Sequence, residues 1–148
     1  MEKIILISIL ALLLWNTIKH IDRDKKKAKE AREHMLKTAE DLVIDVAKED
    51  PSINVDESSK SVSMVLGYLI YIAYIIFYAA LGAKIQNPIF LALSVIEILT
   101  VFSHMRYIPD LSDKRVENFE GPSDLDHMLN WVLDVTYYTF AIVLLLLK

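Results

Sequence analysis

Two acidic residues, Glu97 and Asp134, lie inside long apolar segments of the chain. Glu97 is in the middle of the apolar run Pro88–Ile108, and Asp134 lies seven residues into the run His127–Leu147. Each run is 21 residues long, and as a helix of about 32 Å it can cross the hydrocarbon core of a bilayer. A carboxylate at such depth costs about 2.5–3.5 kcal/mol, so it normally faces a partner or a water-filled cavity. Glu97 and Asp134 are therefore the leading candidates for functional residues.

Further polar side chains recur at helical spacing around these two carboxyl groups. Residues three or four positions apart share one face of a helix. This spacing joins Thr100 and His104 to Glu97, and it joins His127 and Asn130 to Asp134. The preceding apolar run carries tyrosines at the same spacing. The predicted ion pathway or polar bundle core therefore comprises Glu97, Asp134, Thr100, His104, His127, Asn130, Tyr74, Tyr78 and Tyr138.

This polar core is open to two interpretations. In the first, Glu97 and Asp134 handle protons or cations, or line a small pore. In the second, they only hold helices together through hydrogen bonds to tyrosine and threonine hydroxyls. His104 and His127 also permit a haem or metal site near one membrane face. Histidines at the ends of membrane helices more commonly lie among lipid headgroups, so we predict neither a cofactor nor a metal.

The composition of the chain excludes several classes of function. It has 148 residues, no cysteine and a formal net charge of -4. The missing cysteines exclude disulfides, zinc–thiolate sites and thiol chemistry, and the acidic balance disfavours binding to nucleic acid. No His-Glu-x-x-His, Glu-x-x-His or nucleophile-elbow motif is present, so zinc-protease, di-iron and serine-hydrolase chemistry lack their residues. We predict that the protein is not an enzyme.

Four apolar blocks predict an all-α integral membrane protein with four transmembrane helices. The blocks are Ile4–Ile18, Val62–Ala83, Pro88–Ile108 and His127–Leu147. The first block is expected to be a retained anchor, because no signal-peptide cleavage pattern follows it and its basic cluster comes after the apolar run. The predicted organisation is a first transmembrane helix over 1–19, a cytoplasmic amphipathic helix and linker over 20–61, and a three-helix transmembrane bundle over 62–148. A cytoplasmic loop is predicted at 109–126.

The distribution of lysine and arginine predicts the orientation in the membrane. Ten of these residues lie from Lys19 to Lys60, and three more, Arg106, Lys114 and Arg115, lie at or after the end of the third apolar block. The other side of the membrane carries only Lys3, Lys84 and Lys148. Basic residues concentrate on the cytoplasmic side. The two longer connections are therefore expected in the cytoplasm and both termini outside, in the plasma or inner membrane. If the first block does not span, the N-terminus is cytoplasmic and three spans remain.

The segment after the first block reads as one amphipathic helix that continues the first span. Neither glycine nor proline occurs from Ile4 to Asp50, and the polar stretch from Pro51 to Ser61 reads as a loop. Apolar residues recur at three- and four-residue spacing in the helix, which predicts a face that docks a partner. The predicted docking residues are Met35, Ala39, Leu42 and Val46.

Two functions are compatible with this sequence. The first is a small multi-pass membrane protein, assembled from several copies, that forms or contributes to an ion- or proton-conducting pathway lined by the intramembrane carboxylates. The alternative is a non-catalytic membrane anchor or complex subunit whose cytoplasmic helix docks a protein partner. The carboxylates favour the first function, and the apolar face of the cytoplasmic helix favours the second.

Overall fold

The computed structural model describes residues 2–19, 25–50, 52–113 and 124–147, and the secondary structure in these ranges is helical. The helices are α1 (Glu2–Lys19), α2 (Lys25–Ala47), α3 (Val55–Ile85), α4 (Pro88–Met105), α5 (Ile108–Leu111) and α6 (Asp124–Leu147). The predicted continuation of the first span into α2 falls on residues 20–24, which lie outside the described residues. The same holds for most of the predicted loop at 109–126.

Three of these helices, α3, α4 and α6, are long and apolar enough to cross a membrane. This finding agrees with the predicted class of multi-pass, all-helical membrane protein. Helix α1 differs because its 18 residues include charges at both ends, Glu2 and Lys3 before Ile4 and Lys19 after Ile18. The uncharged part is about 22 Å long, which is shorter than a hydrocarbon core of about 30 Å.

Helices α3 and α4 have different bounds from those that the apolar runs predict. Helix α3 begins at Val55, so part of the predicted linker is helical. Asn54 Oδ1 accepts a hydrogen bond from the Glu57 N–H at 3.4 Å, and such a contact caps an N-terminus. Helix α4 ends at Met105, three residues before the end of the apolar run at Ile108. Pro109 lies in the first turn of the next helix, α5. Proline is tolerated there because the first turn of a helix needs no N–H donor from it.

The turn between α3 and α4 is short and well capped. Gln86 has φ 52°, the left-handed conformation that commonly ends a helix. Asn87 Oδ1 accepts hydrogen bonds from the N–H groups of Ile89 and Phe90, at 3.0 and 3.1 Å. Pro88 is the first helical residue. Asn87 therefore caps α4, and the short turn makes α3 and α4 an antiparallel hairpin.

The described residues form two compact units. The first unit contains α1, α6, the part of α3 from Ala73 onward and α4 as far as Ser103. Helix α1 packs along α6, and the Trp131 indole N–H donates to the Thr17 carbonyl at 2.9 Å. At the other end of α1, Glu2 Oε2 lies 3.6 Å from Lys84 Nζ of α3.

The second unit contains α2, α5 and the first half of α3. Arg32 of α2 is the main polar link in this unit, because its guanidinium donates to the carbonyl groups of Leu111 and Asp113 at 3.0 and 2.6 Å. Lys60 of α3 forms an ion pair with the Asp113 carboxylate at 2.6 Å. Gly67 of α3 lies against Ile108, to which an added Cβ would approach within 3.0 Å.

A local turn closes the C-terminal end of α2. The Asp50 carboxylate accepts hydrogen bonds from the Ser52 hydroxyl at 2.7 Å and from the Ser52 N–H at 3.0 Å. Both bonds favour the ionised form, so they lower the pKa of Asp50 below its ordinary value. This geometry agrees with the predicted end of the helix near Asp50.

Candidate functional site

Helices α3, α4 and α6 bring tyrosine hydroxyls and two carboxyl groups together in the core of the first unit. We call Tyr78, Ser94, Glu97, Asp134, Tyr137 and Tyr138 the tyrosine–carboxyl cluster. Tyr78, Tyr137 and Tyr138 are buried, and so are Ser94 and Glu97. Helix α3 contributes Tyr78 alone. Ser94 and Glu97 of α4 are three positions apart, and Asp134 of α6 is three and four positions before Tyr137 and Tyr138, so each of these two helices presents one polar face.

Tyr78 is the centre of one set of hydrogen bonds. Its hydroxyl donates to Asp134 Oδ1 at 3.2 Å and lies 3.4 Å from the Tyr138 hydroxyl. The contact joins α3 to two successive turns of α6. Asp134 itself is half-buried, so its carboxyl group is held by a buried hydroxyl group on one side.

Ser94 and Tyr137 form a second set. The Ser94 hydroxyl donates to the Phe90 carbonyl at 3.0 Å, and it lies 3.0 Å from the Tyr137 hydroxyl. The Tyr137 hydroxyl is also 3.5 Å from the Tyr78 carbonyl oxygen. Gly82 permits this close approach of α3 and α4, because a Cβ there would lie 2.8 Å from Ser94 Oγ.

Glu97 differs from the other cluster members in its hydrogen bonding. Its side chain is only 3% exposed, yet among the described residues Oε1 has no hydrogen-bond partner. Glu97 is within electrostatic range of Asp134, Tyr78, Tyr137 and Tyr138. A buried polar atom without a partner is unfavourable by about 1–3 kcal/mol, so this oxygen contributes no hydrogen bond to the stability of the fold.

Aromatic rings fill the space around the cluster. The Tyr137 ring lies 4.6 Å from Phe90 and 5.1 Å from Tyr78, measured between ring centroids. Tyr74 stacks on Tyr78 at 6.4 Å, but it is 46% exposed. Among the residues that the structure describes, no group of three histidine, aspartate or glutamate side chains is placed to hold a metal ion.

Four further residues belong to the predicted polar core. Thr100, Asn130 and His127 are half-buried in the first unit, whereas His104 belongs to the second unit. The His104 ring lies 6.4 Å from the Tyr107 ring. The structure thus brings Glu97, Asp134, Tyr78 and Tyr138 together, and it adds Ser94 and Tyr137.

The predicted docking face of α2 is divided in the structure. Ala39 is fully buried and Met35 is half-buried, whereas Leu42 and Val46 are 53% and 56% exposed. Leu36 and Val43 are buried, so the buried face of α2 is rotated from the face that the sequence pattern favoured. The exposed part of the predicted face is Leu42 and Val46.

Comparisons with known proteins give no relative for this chain. No protein-family model matches it, and neither a curated protein nor a solved structure shows significant similarity.

Proposed function

We propose that this chain is a small multi-pass membrane protein that forms, or contributes to, an ion- or proton-conducting pathway through the tyrosine–carboxyl cluster. The observation that carries the proposal is the burial of Glu97 with a carboxyl oxygen that has no hydrogen-bond partner among the described residues. Intramembrane acidic residues commonly mark ion or proton paths. A carboxyl group that served only to join helices would be expected to use its hydrogen-bonding capacity.

The transmembrane arrangement belongs to the same proposal. We propose four spans, with α1 as the first, because α1 extends along the same bundle as α6. Its first turn is beside Lys84 and its last turn is beside Trp131. We further propose that both termini face outside in the plasma or inner membrane and that α2 is cytoplasmic, as the distribution of basic residues favours. Several copies assemble, because four short spans rarely enclose a pathway alone.

Reconstitution in liposomes tests the conducting function. Purified protein should dissipate an imposed ion or pH gradient, and Glu97→Gln and Asp134→Asn should abolish most of this flux while the helical content stays unchanged. Glu49→Gln is the matched control, because Glu49 is exposed beyond the end of α2. Absence of any flux from well-folded wild-type protein would contradict the proposal.

A second candidate function is supported by the exposed apolar residues of α2. Leu42 and Val46 lie one turn apart on the surface, so they offer a binding face for a cytoplasmic protein, and the chain would then be a membrane anchor or complex subunit. In this case Leu42→Glu and Val46→Glu should release a protein that co-purifies with the wild type. Lys37→Glu, at another exposed position of α2, is the control.

A further inference from the structure

We infer that the species carried by the tyrosine–carboxyl cluster is the proton and not a metal cation; this inference depends on the proposed conducting function. It is drawn from the packing of the cluster, from the arrangement of its oxygen atoms and from the hydrogen-bond contacts between them. Each of these three observations distinguishes a proton from a cation such as Na⁺ or K⁺.

The packing leaves no lumen for a hydrated ion within the cluster. Tyr137 and Phe90 have no exposed surface, and Ser94 has almost none. The Tyr137 ring contacts the rings of both Tyr78 and Phe90. A hydrated cation requires a water-filled passage, whereas a proton passes from one hydrogen-bonding group to the next.

The oxygen atoms are arranged for hydrogen bonding and not for coordination. A dehydrated cation such as Ca²⁺ takes about six to eight oxygen ligands at roughly 2.3–2.6 Å around one point. Oxygen atoms in the cluster instead meet in pairs, and Glu97 Oε1 has no hydrogen-bond partner among the described residues. Among these residues no three histidine, aspartate or glutamate side chains are placed to hold a metal ion, so the cluster offers hydrogen-bonding pairs and not a cage of oxygens.

The Tyr138–Tyr78–Asp134 contacts form a relay in which protons balance at every step. Tyr78 releases its hydroxyl proton to the Asp134 carboxylate and receives one from Tyr138. In the proposed route Tyr138 regains its proton from a protonated Glu97, whose carboxyl group must first rotate toward it; this rotation breaks no hydrogen bond at Oε1. Each tyrosine gives one proton and takes one, so neither is left ionised.

The test separates proton flux from cation flux in the same liposomes. A K⁺ diffusion potential is set with valinomycin and internal pH is followed with a trapped dye; K⁺ and Na⁺ flux are measured separately without valinomycin. We expect proton flux without cation flux. Tyr78→Phe should lower the proton flux by about tenfold or more, as expected for loss of one hydrogen bond to an ionised group. Tyr68→Phe, on the same helix outside the cluster, should not change it.

Each alternative outcome has a distinct meaning. K⁺ or Na⁺ flux that equals proton flux would overturn the inference and leave the conducting function standing. No flux of any kind would overturn the conducting function itself. Proton flux that persists in both Tyr78→Phe and Glu97→Gln would overturn the route through the cluster. Tyr138→Phe, which removes the neighbouring hydroxyl, serves as the second variant if Tyr78→Phe does not fold.

Discussion

Glu97 is a buried acid whose burial is unfavourable for the fold. Its side chain is almost inaccessible, and one carboxyl oxygen has no hydrogen-bond partner among the described residues. Replacing such a group with an apolar side chain of similar volume is commonly neutral or stabilising, because the unsatisfied atom disappears. The functional and structural interpretations of Glu97 therefore predict opposite effects of one substitution.

Glu97→Met should leave the free energy of unfolding in detergent unchanged or raise it by up to about 2 kcal/mol, while it removes the flux. Tyr137→Phe is the contrasting variant, because it removes a hydroxyl that contacts Ser94; it should lower the free energy of unfolding by about 0.5–1.5 kcal/mol. Both values are measured by denaturant titration in the same detergent. A Glu97→Met protein that unfolds more readily than wild type would show that Glu97 is a structural residue.

At the scale of single residues, four of the six members of the tyrosine–carboxyl cluster could be predicted from the sequence. Glu97 and Asp134 were predicted from their depth in apolar runs, and Tyr78 and Tyr138 from their spacing. Ser94 could have been added, because it lies three residues before Glu97 on the same helical face. The missing hydrogen bond at Glu97 Oε1 could not be predicted, since it depends on tertiary packing that spacing along one helix does not determine.

At the scale of elements, Arg32 fixes α2 to the end of α5. Its guanidinium satisfies carbonyl groups that the end of a helix leaves without intrahelical partners. The side chain reaches across 79 positions of sequence to Leu111. The sequence does not predict this role of Arg32, because its acceptors are backbone carbonyl oxygens. Every residue has such an oxygen, so no residue type marks the partner.

Arg32→Ala should loosen this contact, because two partly buried carbonyl groups lose their hydrogen-bond donor. Each carbonyl group left without a donor should lower the free energy of unfolding by about 1–3 kcal/mol. Hydrogen exchange should then become faster at the amides of Leu111 and Ser112 at the end of α5. Lys37→Ala, exposed on α2, provides the comparison and should leave these amides unchanged. Equal exchange in both variants and the wild type would contradict this role for Arg32.

The rotation of α2 could not be predicted from its sequence either. Helix α2 carries two overlapping apolar stripes. The predicted stripe is Met35, Ala39, Leu42 and Val46, and the buried stripe is Leu36, Ala39 and Val43. Periodicity finds both stripes, but it does not say which of them another helix covers. Tertiary contacts such as those of Arg32 decide between them.

At the scale of the whole molecule, the absence of cysteine makes the topology directly measurable. Single cysteines can replace Lys3, Ser52 and Lys84 without any competing thiol. If α1 spans, a thiol reagent that does not cross the membrane should label Lys3→Cys and Lys84→Cys from outside intact cells, and should label Ser52→Cys only after the cells are opened. Labelling of Lys3→Cys together with Ser52→Cys would instead indicate three spans.

The class of fold was the most predictable feature, because the apolar runs in α3, α4 and α6 are long enough to cross a membrane. The role of α1 was harder to predict, since its uncharged run, Ile4–Ile18, is only 15 residues long. Its contact with α6 through Thr17 and Trp131 is a pairing between distant residues, which composition and length do not reveal.

The pairing of α1 with α6 also has a consequence for how the protein is made. Trp131 is 114 positions later in the chain than Thr17, so the ribosome completes α1 long before its partner exists. Leu10 of α1 is fully buried in the finished fold, a state that α1 reaches only in its folded surroundings. Assembly of α1 with α6 is therefore a late event of biosynthesis, because α1 must wait until α6 has been made.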